Sequence, residues 1–159
     1  MQQFIVRVLC VLAFLIGAVL TSSSIAYAAD AHASGGGNGT FDGVTSGSHF
    51  GFGVVFGSSV QGRFECNMAG NSAFPGLRQM AVLGTVTSGS VNVAAGTAIF
   101  RGPATLHVNG KTSSIGFSVE VHEGGPLVGT LHLTVFNSPF GPVFTFPVER
   151  VLTGQISVR

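Results

Sequence analysis

The sequence has no tryptophan, and its single tyrosine, Tyr27, sits close to the N-terminus. Those two residue types supply the flat, amphipathic rings of most glycan-binding surfaces and adaptable paratopes. Their lack disfavours a carbohydrate-binding module. Charge is scarce as well: only 8% of residues are Asp, Glu, Lys or Arg, against about 25% in an average soluble chain. Beyond Arg7 the basic residues Arg63, Arg78, Arg101, Lys111, Arg150 and Arg159 balance Asp30, Asp42, Glu65, Glu120, Glu123 and Glu149. They form no run, so nothing electrostatic points to nucleic acid or to an anionic membrane surface. Helical periodicity is missing after residue 29.

The chain is short of reactive chemistry in the same way. It contains no HExxH, CxxC or GxSxG pattern, and no helix and no Gly-Lys-Ser/Thr follow Gly35-Gly36-Gly37 to make it a phosphate loop, which leaves no motif for zinc, for a serine nucleophile elbow or for a nucleotide phosphate. No cofactor and no metal are expected. The cysteines are two, Cys10 and Cys66.

What is present begins with an export signal. Arg7 precedes an apolar run from Val8 to Leu20, a polar break at 21–24, and Ala26-Tyr27-Ala28. That order is a secretory signal peptide, expected as a helix and cut after Ala28 or Ala29. Its apolar run is too short for a comfortable span. The reading divides the chain into a signal at 1–29, a Gly-rich flexible linker at 30–39 and one domain at 40–159. It places the product in the periplasm, the cell envelope or the medium, with no stable membrane span after cleavage. Cys10 leaves with the signal, so Cys66 has no partner within the domain. Alternation puts Cys66 on one face with Phe64 and Met68, as a small buried hydrophobe.

The domain reads as all-β. Phe50, Phe52, Val54 and Phe56 alternate with smaller residues, the period-2 signature of a strand with one buried face. Further strands are expected over 61–68, 79–86, 91–93, 97–101, 104–108, 112–122, 127–136, 143–152 and 155–159. Asn109-Gly110 is a type I′ hairpin signal, residues 71–78 form a loop, and Thr153-Gly154 a turn. About nine short antiparallel strands suit a sandwich or a small barrel; spacing does not choose between them.

Phe50-Gly51-Phe52-Gly53-Val54, Gly62-x-Phe64-x-Cys66, Val82-x-Gly84-x-Val86 and the closing Leu152-Thr153-Gly154-Gln155-Ile156 together resemble a group of small secreted bacterial β-proteins without established function. The resemblance implies export and a β fold; it brings no activity.

Two weak ligand candidates remain. His122 and His132 fall on the outer face of one expected hairpin near Glu120, with Ser118 set opposite His132. Phe136 and Phe140 lie out of phase with the core set, around Pro139, as an apolar lip for a ligand or partner. The function expected is that of an exported, non-catalytic β-domain with a structural, adhesive or interaction role, its partner another protein or, through edge strands, a second copy. The alternatives are a carrier holding a small apolar ligand inside the β-structure and, third, a small barrel enzyme such as an isomerase or hydrolase.

Overall fold

The computed structural model describes residues 30–69 and 79–159; the signal and the expected loop at 71–78 lie outside them. The described chain is all-β and antiparallel. Its strands are β1 (Ala31–Thr40), β2 (Ser48–Phe56), β3 (Val60–Ala69), β4 (Gln79–Val86), β5 (Ser88–Asn92), β6 (Thr97–Val108), β7 (Lys111–His122), β8 (Thr130–Ser138), β9 (Gly141–Thr145) and β10 (Glu149–Val158).

Of the two all-β arrangements, the chain adopts the barrel. The order β10-β1-β2-β3-β4-β6-β7-β8 returns to β10 and makes a ring of eight strands. Each ring strand pairs with its neighbours in sequence, and the first closes on the last. The remaining two strands are extensions. After Val86 the chain kinks at Thr87, whose N–H donates to the Arg101 carbonyl, and β5 continues along the first half of β6. Likewise β9 runs along β8 before the break at Pro147 hands β8 over to β10. Direct pairing of β8 with β10 covers only Glu149–Leu131 and Arg150–Thr130. The β7–β8 loop completes that seam. Gly124 exchanges backbone hydrogen bonds with Ile156, Leu127 N–H donates to Val151 O, and Val151 N–H donates to Gly129 O.

Residues 30–39, expected as a flexible linker, are mostly β1. The segment is strand because it lies between β10 and β2 and pairs with both along its length. Its glycines serve close approach. Gly37 stands opposite Gly154, both with positive φ (148° and 97°), and a Cβ on either would land on a carbonyl oxygen of the other strand. Thr153-Gly154, expected as a turn, therefore lies inside β10. The register slips one residue there, pairing Asn38 with Thr153 but Gly39 with Val151, which is a bulge. The strands expected over 97–101 and 104–108 are one strand, since Gly102-Pro103 stays in register with Phe117-Gly116 of β7. Asn109 and Gly110 have φ of 47° and 83°, the type I′ turn their sequence asks for.

Alternation along the ring strands sends one set of side chains into the barrel. Phe52, Phe100, Phe64 and Phe117 form a chain of ring contacts inside, tilted at 5.2 Å (Phe52–Phe100) and 6.1 Å (Phe64–Phe100) and stacked at 5.3 Å (Phe64–Phe117). Met68, Met80, Val82, Leu106, Val119, Leu131, Leu133, Val135 and Ile156 fill the space around them at 2% exposure or less. Gly84 is part of this packing: a Cβ there would come within 2.5 Å of the Phe117 ring. Small barrels of about eight strands have interiors that side chains can fill, and this one is filled by phenylalanine.

Candidate functional site

Three polar side chains, Thr40, Ser48 and Glu149, are buried among the described residues, and Glu149 is the ionisable one. Glu149, the first residue of β10, points inward beneath the loop that joins β1 to β2, at 2% exposure. Its Oε2 accepts a 2.9 Å hydrogen bond from the Ser48 hydroxyl on β2. Its Oε1 is buried and has no hydrogen-bond partner. Backbone lies close on two sides, since a Cβ on Gly39 would come within 3.0 Å of the carboxyl and one on Gly47 within 3.7 Å of Oε1. Burial without a cationic neighbour penalises the ionised form. The carboxyl is pushed up from 4.5 to about 7, with the Ser48 bond acting weakly in the opposite direction.

The loop above is held by its own polar contacts. Thr40 Oγ1 donates to Asp42 Oδ1 (2.9 Å), which also accepts from the N–H groups of Val44 (2.8 Å) and Thr45 (2.7 Å). Those donors hold the Asp42 carboxyl well below the usual carboxylate range. Gly47 N–H donates to Gly39 O, and the Phe41 ring lies against Gly47 and packs on the core.

Cys66, on β3, belongs to the same neighbourhood. It is 1% exposed, as its alternation with Phe64 and Met68 required. Burial first, and the Glu149 charge second, push its thiol far above the ordinary range. A thiol held in that state is not a nucleophile. A chain lacking residues 1–29, and so Cys10, is expected to show no reaction with a colorimetric disulfide reagent over hours when folded and one equivalent of thiol after denaturation. Rapid labelling of the native protein would contradict the packing. At these exposures neither Glu149 nor Cys66 presents surface to a substrate.

The histidine pair stands elsewhere, on the outer face of β7 and β8. The register differs by two residues from the expected one: Glu120, not Ser118, is directly opposite His132, and His122 is opposite Thr130. His122 Nε2 lies 3.5 Å from Glu120 Oε1, with both side chains about half exposed. Among the described residues no three His, Cys, Asp or Glu side chains converge to hold a metal ion. Glu120 thus stands between the two histidines, beside His122 on its own strand and opposite His132, on the outer sheet face.

The phenylalanine-rich segment is largely accounted for by intramolecular packing. Phe140, in the β8–β9 turn, is half-buried, 5.2 Å from the Phe144 ring and 6.2 Å from Phe146, and Phe144 meets Phe146 edge-on at 4.9 Å. Phe146 is core, and Phe144 is half-buried against it. Phe136 lies half-buried on the outer face, over Gly116. Turn and strand thus fold an aromatic cluster, Phe140 with Phe144 and Phe146, back over the barrel, while Phe136 stands on the outer face of β8.

Four depressions between 190 and 420 Å³ mark the described surface, and all are open to solvent. The largest of these lies outside β2–β4, where Gly51 and Gly53 leave a floor bordered by Arg63, Glu65, Leu83 and Thr85. No family model matches the chain, and no curated protein or solved structure matches it either.

Proposed function

We propose that the chain is exported and that its barrel works outside the cytoplasm as a non-catalytic structural or adhesive domain, making contacts through its outer surface. The observation that carries this reading is the filled interior. A carrier of small apolar ligands needs a cavity of roughly 300 Å³ or more that encloses its ligand, and an enzyme needs polar groups converging where a substrate can reach them. Here a chain of phenylalanine rings occupies the interior, the one buried carboxyl among the described residues is sealed in, and the largest of the depressions described above is an open groove on the outside. Export is supported by the order of charge, apolar run and small-residue cleavage site at 1–29, and by the likeness to small secreted β-proteins.

The test has two arms. Expressed with residues 1–29 in a bacterial host, the protein is expected outside the cytoplasm with its N-terminus at Ala29 or Asp30, read by mass spectrometry; an uncut cytoplasmic product would defeat the export reading. The purified barrel is expected to keep the same melting temperature in the presence of a long-chain fatty acid or a hydrophobic dye. A saturable rise in melting temperature would make it a carrier instead.

A further inference from the structure

Closing a barrel removes sheet edges, yet two short strands here are paired on one side only among the described residues: β5 with β6, and β9 with β8. They differ in how the open side is defended. The β9 strand contains Pro142, follows Pro139 and lies in the packed aromatic cluster. Proline on an edge strand is a standard obstacle to further pairing. The β5 strand, Ser88-Gly89-Ser90-Val91-Asn92, has no proline and no charge. Ser88, Gly89, Ser90 and Asn92 are exposed, and only Val91 tucks against the core. All five residues are in register with β6 on the inner side, from Ser88–Arg101 to Asn92–Thr97. No backbone hydrogen bond from 88–92 runs to the other side among the described residues.

We infer that the free edge of β5 pairs with the β5 edge of a second copy of this chain, antiparallel and about a two-fold axis at Ser90. The occupant follows from the strand's chemistry. Recognition of a foreign strand draws its specificity from pockets for alternate side chains, and Ser-Gly-Ser offers none. Self-pairing asks only for a neutral, unobstructed edge, and a two-fold arrangement closes after one partner. Full overlap of a five-residue strand with itself puts the axis at its third residue: Ser90 faces Ser90 of the other copy, and Gly89 faces Val91. Five residues a side make a small contact, so the dimer is weak and dependent on concentration. This deepens the reading of the barrel as an interaction domain, and the two can fail separately. A strictly monomeric protein would remove the dimer while leaving export and the filled interior as they are.

The experiment is sedimentation equilibrium of the exported chain across a concentration series, with three variants whose circular dichroism matches the parent. The parent is expected to pass from monomer to dimer as concentration rises. Ser90→Lys places like charges directly opposite each other and is expected to weaken association at least tenfold. Thr145→Lys, on the open edge of β9, is expected to leave it unchanged. Ser90→Cys is expected to give a disulfide-linked dimer on mild oxidation, because directly opposed strand residues lie within disulfide reach. Ser88→Cys is not. A parent that stays monomeric, an association that survives Ser90→Lys, one that is lost in Thr145→Lys, or equal crosslinking at positions 88 and 90 would each overturn the inference.

Discussion

The protein is expected to be more stable in acid than at alkaline pH, and Glu149→Gln is expected to abolish most of the difference. The folded carboxyl titrates near 7, whereas the exposed carboxyl of the unfolded chain titrates near 4.5. Below that lower value both states are protonated and Glu149 costs nothing extra. Between the two values the unfolded chain releases its proton while the folded one keeps it, so stability falls as pH rises. Above pH 7 both states are ionised and the loss levels off. A shift from 4.5 to about 7 corresponds to about 3 kcal/mol, a large share of the 5–15 kcal/mol typical of a domain. The neutral amide of Gln can still accept from Ser48 and carries no charge to desolvate. Urea denaturation from pH 4 to 8 is the measurement: the parent midpoint should fall across the interval while that of the variant stays nearly level. A parent midpoint that rises toward pH 8 would mean that Glu149 has a cationic partner in solution. Ser48→Ala should move the window to higher pH, since the Ser48 bond is what favours the ionised form.

The second large effect is expected at the seam between the first and last strands. Gly154→Ala should cost about 3 kcal/mol or more. Gly110→Ala, a change of the same chemistry at a similar φ, should cost only about 1 kcal/mol. Both glycines have positive φ, 97° and 83°, so the conformational cost of adding a Cβ is shared. They differ in surroundings. Around Gly110 nothing lies within 4 Å of an added Cβ, whereas at Gly154 it would overlap the carbonyl of Gly36 across the β1–β10 pairing. Backbone cannot rotate away as a side chain can, so the two strands must separate. Thermal melts of the two variants side by side give the comparison. Equal losses would show that the seam yields and that close approach is not what holds Gly154.

Parity arguments carried most of the fold. They identified the strand at 112–122 and the burial of Cys66 with Phe64 and Met68, because those strands have unbroken period-2 alternation. Legibility ended where the chain gains or loses a residue of phase. Reading 143–152 as one strand and counting from Phe144 and Phe146 turns Val148 and Arg150 inward. The break at Pro147 shifts the phase, so Glu149 and Val151 point in instead. The only buried carboxyl among the described residues was missed for that reason. Counting back from Val151 would have found it. The strand β1 was missed for a different reason. Gly35-Gly36-Gly37 has no side-chain pattern to read, and its strand character comes entirely from neighbours on both sides. For the His122–His132 pair, alternation gave the correct face, while the two-residue error in register came from the β7–β8 loop, whose pairing with β10 delays the start of β8 to Thr130.

The pairing of β1 with β10 also bears on when the chain can fold. Ala33 meets Val158 and Gly35 meets Ile156, so the first strand finds its second neighbour only in β10, after all the other strands of the ring. Contacts of such long sequence separation form slowly, because loop-closure entropy is lost before they give any stabilisation. Until the C-terminal strand is free, the glycine-rich β1 is bordered on one side only and the ring stays open. On the proposed route out of the cytoplasm this order keeps the barrel open until β10 is available, so the strand that closes the ring also sets when the ring can close.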